Sequence, residues 1–229
     1  MGKEPQKVTR TERKKAEIRL RLLRVAYKVM SKNNMDDISI AKLAEAADIG
    51  FGTFYNYFES IDDLSSQVMA CVINDLGRRN DLATVELKST NPVAVQAISI
   101  RLTMREMLTD LMWKWWLNQP ELLAEHMRQN FHSYGVRDLK IGIESGRYAI
   151  SEDEVEAVWS QQMWMLVGGI KTILNQTTDD MDEKHLITII MRAMGTSPER
   201  AIELAEMDLP PFPKPDVDFS IVAEAISIS

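Results

Sequence analysis

Apolar residues recur at three- and four-residue intervals early in the chain. The first such stripe is Ile18, Leu22, Val25, Ala26, Val29 and Met30. Arg13, Lys14, Arg21, Arg24 and Lys28 fall largely off that stripe, so the spacing predicts an amphipathic helix from about Thr11 to Lys32. Asn33-Asn34 then offers residues that tolerate the left-handed backbone ending a helix. Ser39 supplies an N-cap hydroxyl for a two-turn helix with Ile40, Leu43, Ala44 and Ala47 on one face. Ala47-Asp48-Ile49-Gly50 reads as a tight turn, and Phe51 to Tyr57 as a third short helix rich in aromatics. Ser60 with Asp63 three residues later opens a fourth, carrying Leu64, Val68, Cys71 and Val72 inward.

A polar break is expected around Arg78 to Thr90, after which Asn91-Pro92 pairs an N-cap with a proline whose missing N–H costs nothing. From Val93 to Leu117 the chain is apolar on nearly every side, so a helix there belongs at the centre of its domain. Pro120 permits a new helix through Phe131. Ser151 and Glu154 form a capping-box pattern ahead of a long helix to about Gln176, and Asp182 and Ser197-Pro198 start two more. No stretch alternates as a strand would, and 209–215, with four prolines, cannot be helical. The fold class is therefore all-α: an N-terminal three-helix head over 1–60, a helical bundle over 61–208 and a Pro-rich tail over 209–229.

Charge changes this picture because it is unevenly placed. The net charge is −7, yet residues 1–35 hold 11 Lys or Arg against 3 Asp or Glu. A basic leading segment on an acidic body suits a protein of which one face meets phosphates. The single cysteine, Cys71, cannot form an intramolecular disulfide and reads as a small buried residue. The leading MGKEPQKVTRTERKK has no apolar stretch to serve as a signal peptide, and no run approaches a membrane span, so a cytoplasmic address and no membrane partner are expected. His126, His132 and His185 lack i, i+4 ligand spacing, no Gly-rich phosphate loop follows a strand, and no Ser-centred nucleophile motif occurs. Neither catalysis, a metal nor a cofactor is expected. Asp179-Asp180 and the acids from Glu152 to Glu154 read as helix-start or solvated charge.

Three short helices with a Gly-bearing turn between the second and third fit a helix-turn-helix, whose second helix enters the major groove. The run Ile38-Ser39-Ile40-Ala41-Lys42-Leu43-Ala44-Glu45-Ala46-Ala47-Asp48-Ile49-Gly50-Phe51-Gly52-Thr53-Phe54-Tyr55-Asn56-Tyr57-Phe58-Glu59-Ser60-Ile61-Asp62-Asp63-Leu64 closely resembles the DNA-binding domain of the tetracycline repressor (TetR) family. The resemblance implies that Ser39, Phe51, Thr53, Tyr55, Asn56 and Tyr57 face DNA, while Leu43, Ala44, Ala47, Ile49, Phe54 and Phe58 pack the head. Gly52 would let the recognition helix approach the duplex closely, and Thr53 and Tyr55 can donate to phosphates. Asn56 or the edge of Phe51 can read bases. Two positions depart from the family. Ile61 stands where a phosphate-contacting lysine is common, and Asp48 where glycine is usual. Residues 36–64 carry only Lys42 against seven acids, so Arg10, Arg13, Lys14 and Lys7 are expected to supply most phosphate neutralisation.

Members of that family pair the reader with a variable helical domain for ligand binding and dimerisation. Here Met104, Arg105, Leu108, Met112, Trp113, Trp116, Met127, Phe131, Met163 and Trp164 are the candidate ligand-binding residues, because thioethers and large rings line irregular apolar spaces. A small apolar or acyl-chain effector is expected, its anionic head near Arg101, Arg105, Arg128 or Arg147; plain core packing is the alternative. Val155, Trp159, Gln162, Leu166, Gly169, Ile170 and Ile173, followed by Leu186, Ile189 and Ile190, form apolar stripes for a four-helix dimer interface, or else pack within the chain. Together these features predict a homodimeric repressor released from a palindromic operator in double-stranded DNA by its effector. A carrier or enzyme retaining a vestigial reader, and an adaptor using the Pro-rich tail, are the alternatives.

Overall fold

The computed structural model describes residues 9–33, 38–175 and 181–224. Lys7, Asn34, Gln176 and Asp179-Asp180, singled out above, lie outside them. The described residues are helical with no strand: α1 (Arg10–Met30), α2 (Ile40–Ala46), α3 (Phe51–Phe54), α4 (Ile61–Ala83), α5 (Leu87–Thr90), α6 (Pro92–Thr109), α7 (Leu111–Trp116), α8 (Pro120–Asn130), α9 (His132–Glu144), α10 (Val155–Asn175), α11 (Glu183–Ala193), α12 (Pro198–Glu206) and α13 (Ser220–Glu224). They form two compact units, residues 1–71 with 217–229, and residues 72–216. The division falls inside α4 rather than at 60/61. The tail is likewise divided rather than separate, its last segment belonging with the first unit.

The first unit begins with a capping box, in which the Thr9 hydroxyl accepts from the Glu12 amide and the Glu12 carboxylate from the Thr9 amide at 2.6 Å. Leu22, Leu23, Ala26 and Met30 then bury one face of α1 against Leu43, Ala44 and Ala47, with Phe54, Phe58, Leu64 and Val68 completing the core. Each fully buried Leu or Phe stabilises by roughly 1.5–3 kcal/mol. Ser39 caps α2 through the Lys42 amide, and Ser60 caps α4 through the Asp63 amide while Asp63 accepts from the Glu59 amide. Between α2 and α3, Asp48 adopts φ +51°, the left-handed conformation a short polar side chain tolerates better than most. The turn therefore forms without the glycine usual there. In the last segment of the chain, α13 packs on α1, and Phe219 is buried with its ring 5.7 Å from that of Tyr27.

In the second unit α6 is buried on almost all sides, from Val93 to Met107, and packs against α9, α10, α11 and α12. The continuous helix expected from Val93 to Leu117 breaks at Asp110, which turns to extended backbone and caps α7 by accepting from the Met112 amide at 2.9 Å. The break expected around Arg78 to Thr90 starts later, since α4 continues to Ala83 and α5 begins at Leu87. Its polar residues are paired inside the unit: Arg79 is buried between Asp75 at 2.9 Å and Glu106 at 2.6 Å, and donates to the Pro213 carbonyl at 3.2 Å. The guanidinium also lies 4.6 Å from the Phe212 ring centre, which fixes the extended 209–216 segment on this unit. Helix α9, for which no pattern stood out, approaches α10 at Gly135, where a Cβ would fall 2.1 Å from the Trp159 ring. Only glycine permits that contact.

Candidate functional site

In the first unit, one face presents the expected reading residues. Phe51 and Tyr55 are 56% and 52% exposed, although both are large and aromatic, and Gly52 and Asn56 are exposed beside them. Phe54, between them in sequence, is wholly buried. The pair is therefore an outward edge rather than a loosened core: the Phe51 and Tyr55 rings meet edge-on at 5.8 Å, and Tyr55 meets Phe54 at 5.6 Å. Thr53 and Tyr57 are half-buried. A Cβ on Gly52 would meet nothing within 4 Å, so nothing in the chain itself demands glycine there. Ser39 is half-buried with its hydroxyl on the Lys42 amide, while the Lys42 side chain is exposed. Arg10, Arg13 and Lys14 are exposed along the first turns of α1.

Arg19 holds this surface and was not anticipated. It is buried, donates to the Tyr57 carbonyl at 2.7 Å and to the Gln67 side chain, and lies 4.5 Å from the centre of the Phe58 ring. A guanidinium thus ties the end of the aromatic segment to α1 and α4. In sequence it resembles its solvated basic neighbours; only its position, i, i+3 and i, i+4 from the buried Leu22 and Leu23, hints at an inward direction.

The second unit contains a cavity. Its wall comprises Gly77, Asn80 and Asp81 from α4, Thr84 just beyond it, Gln96, Ser99, Ile100 and Thr103 from α6, Phe131 at the end of α8, Tyr134, Gly135, Arg137 and Asp138 from α9, and Trp159, Met163 and Leu166 from α10. Its volume is about 50 Å³. A water needs about 10–15 Å³ on this measure and an apolar cavity that binds benzene has about 150 Å³, so the space as it stands takes a few waters, would have to widen for an aromatic ring, and does not take an extended acyl chain.

Phe131 and Met163 are the two of the ten proposed ligand residues on this wall. Met104, Met112, Trp113, Trp116 and Met127 are buried core, Leu108 is half-buried, and Arg105 and Trp164 are exposed. The cationic head site is also absent from the wall, since Arg101 and Arg105 pair with Glu183 and Arg128 with Glu125, and Arg147 is exposed. The dimer stripe requires a correction too. Val155, Trp159, Gln162, Leu166, Ile170, Leu186 and Ile190 are buried within the single chain, so they have no surface to offer a partner. Trp159 instead lines the cavity and donates its ring N–H to the Arg128 carbonyl at 2.9 Å. Gly169 sits against Leu186, where a Cβ would be 2.4 Å from its side chain. Gly169 and Ile173 are half-buried, and Ile189 is 46% exposed.

The polar cavity residues went unrecognised. Gln96 carried a signal, being an amide inside the otherwise apolar run Val93 to Ile98 on a helix buried all round. Arg137 joins Asp81 at 2.8 Å and Asp138 at 2.8 Å. The Asp81 carboxyl is held below its usual range despite a raising effect from burial, because Lys88 and Arg137 donate to it. Burial pushes the Asp138 carboxyl up.

Residues 22–68 match the model of the bacterial regulatory proteins of the tetR family, and residues 91–207 match the tetracyclin repressor-like C-terminal domain, about half the chain by itself. The chain belongs to the TetR family. It is a ligand-responsive, DNA-binding transcriptional regulator, and the carrier, enzyme and adaptor alternatives are not favoured. Regulators of this family are generally non-enzymatic, bind operator DNA and small molecules, and act as dimers. The crystal structure of RolR in complex with resorcinol aligns with a TM-score of 0.79 at 28% identity, covering 88% of this chain and 99% of that one. RolR without ligand aligns at 0.76 and 26% identity, covering 84% and 99%. A structure assigned to the tetR family from Shewanella sp. PV-4 shares the fold at 13% identity and a TM-score of 0.55, covering 77% of this chain and 97% of that one. No curated protein matches the chain. Among the described residues no helix is long and apolar enough to cross a membrane.

Proposed function

We propose that this TetR-family regulator is a homodimeric cytoplasmic repressor, without enzymatic activity, that leaves a palindromic operator when a small ring-shaped effector occupies the cavity of residues 77–166. The observation that carries the DNA-reading half is the outward Phe51–Tyr55 edge beside exposed Gly52 and Asn56. Exposing two large rings costs burial energy that an apolar or stacking contact outside the chain would return. In this reading Phe51, Gly52, Asn56 and Tyr55 enter the major groove, Thr53, Tyr57, Ser39 and Lys42 flank it, and Arg10, Arg13 and Lys14 neutralise phosphates. The head serves as the DNA-binding domain and the helices from α4 onward as the effector and dimerisation domain.

The effector half is supported by the cavity and by RolR, a similar protein crystallised with and without resorcinol. A cavity this small disfavours the acyl chain that the Met and Trp content suggested, and a single small ring is the occupant that asks the wall to widen least. Dimerisation then uses the outer face of the same late helices: Trp164 is 44% exposed, Gly168 is open enough that a Cβ meets nothing, and Ile189 is exposed on α11. Trp164→Glu is expected to weaken that association. The regulatory test is linkage: operator affinity measured with and without saturating resorcinol must fall when the ligand is bound. Equal operator affinity with every cavity-bound compound would remove the regulatory half.

A further inference from the structure

The reading residues sit on a segment with little helix of its own. Helix α3 covers only Phe51–Phe54, and Tyr55, Asn56 and Tyr57 follow in a turn. One turn of helix is marginal by itself, so whatever fixes the direction of its end must come from elsewhere in the chain. Three consecutive residues at that end are gripped by one hydrogen-bonded series. Arg19 Nη1 donates to the Tyr57 carbonyl at 2.7 Å, and the guanidinium lies 4.5 Å from the centre of the buried Phe58 ring. Arg19 Nη2 donates to Gln67 Oε1, Gln67 Nε2 donates to Asp63 Oδ1 at 2.8 Å, and Asp63 Oδ2 accepts from the Glu59 amide at 3.0 Å.

The series has one polarity. A guanidinium only donates and an ionised carboxylate only accepts, so Gln67 between them must turn its oxygen to Arg19 and its nitrogen to Asp63. Methionine at 67 would leave both neighbours without that partner. Arg19 is buried, and its Nε has no hydrogen bond. Burial pulls the guanidinium pKa down, with the Asp63 carboxylate opposing. Burying a charge with one donor unsatisfied is unfavourable, so stability alone is a poor account of an arginine here. The same burial keeps it from a phosphate, unlike the exposed Arg13, Lys14 and Arg21 of the same helix.

We infer that Arg19 is a positioning residue for operator reading, acting through Gln67 and Asp63 to aim Tyr55, Asn56 and Tyr57 without meeting DNA itself. This rests on the reading of the Phe51–Tyr55 edge as the DNA surface and adds to it the group that sets the direction of that edge. Tyr57 is held by its carbonyl and Glu59 by its amide, with Phe58 clamped between them. A bond to a base edge is directional and weakens steeply when bent, whereas exposed arginines and lysines follow a phosphate on flexible stems. A misdirected segment therefore loses discrimination between sequences first and keeps its general attraction to DNA.

The test titrates the full-length protein against the duplex beside its own gene and against an unrelated duplex of equal length, over one salt series. Arg19→Met and Gln67→Met are each expected to weaken operator binding about tenfold, with the unrelated duplex within a factor of about two and the salt slope unchanged. Arg19→Lys keeps the charge and a donor for Tyr57, and is expected to return to within about threefold of wild type. Arg13→Gln is the contrast: both duplexes weaken, and the slope falls by about 1 per head. Gln67 is half-buried, so Gln67→Met decides the matter even where Arg19→Met folds poorly. Operator affinity within about twofold of wild type in Gln67→Met would overturn the proposal. Equal loss on both duplexes would also overturn it, being the signature of a destabilised head or of a direct phosphate contact. A Tyr55→Ala protein that binds the operator as wild type does would sink the reading of the edge as a DNA surface, and the proposal with it. Weakened Tyr55→Ala beside an intact Gln67→Met would remove the positioning role alone.

Discussion

Removing the guanidinium of Arg79 is expected to damage the second unit more than most single substitutions. Its side chain is 1% exposed and joins Asp75, 2% exposed, to Glu106, 20% exposed. It also carries the bond to Pro213 and the contact with Phe212. Breaking a buried ion pair from one side costs about 3–5 kcal/mol, because the partner charge stays behind without compensation. Two features moderate that figure here. Glu106 has partial access to water, and Asp75 keeps Arg78 at 2.6 Å. Loss of the bond to Pro213 and of the ring contact adds back about 1 kcal/mol or more. Arg79→Met is therefore expected to lose about 3–4 kcal/mol, which at about 3 kcal/mol per molar urea moves the unfolding midpoint down by about 1 M. Urea titration followed by circular dichroism measures it, and Arg79→Met with Asp75→Leu and Glu106→Leu is the control. The triple variant should recover much of the loss, since an apolar cluster has no stranded charge. A single variant within 0.5 kcal/mol of wild type would refute the reasoning.

Two other outcomes follow from packing and burial. Gly135→Ala places a Cβ 2.1 Å from Trp159, so it is expected to cost about 1–3 kcal/mol by overpacking and to shift the ring toward the cavity; the readouts are thermal unfolding and resorcinol affinity, and unchanged values in both would contradict the placement of α9 on α10. Burial pushes the Cys71 thiol up to about 12, with the Asp218 carboxylate reinforcing the shift, so almost none is thiolate at pH 8. Iodoacetamide should label it far more slowly in the folded protein than in urea, and equal rates would show an accessible thiol.

The head was legible in the sequence because its signals are local. A hydroxyl at Ser39, a stripe spaced for one helix face and an aromatic run after a tight turn each act within a few residues, and the structure uses them, although the third helix ends at Phe54 and residues 55–57 form a turn rather than its continuation to Tyr57. Asp48 illustrates the same point, since its short side chain settles where a glycine is usual. What could not be read depends on partners distant in the chain. Arg19 and Arg79 look like solvated cations until Tyr57 and Glu106, 38 and 27 residues away, take up their donors. The apolar face of α10 was visible, but periodicity does not say whether the surface that covers it comes from the same chain or another. Leu186, Gln96 and Gly135 show that the same chain supplies it. The cavity was the least legible feature, because a void is set by what four or five helices leave unfilled. The Met and Trp residues that suggested it mostly fill the core instead.

The most direct test of the account is titration of the duplex beside this protein's own gene, across 50–300 mM salt, with wild type and Tyr55→Ala. With Arg10, Arg13, Lys14 and Lys42 contributed by each half of a dimer, log affinity is expected to fall linearly with log salt at a slope of about −7. Tyr55→Ala, altering a ring already half in solvent, is expected to weaken binding about tenfold or more with no change in urea midpoint. Affinity indifferent to salt, or a Tyr55→Ala protein that binds the duplex as wild type does, would contradict the account.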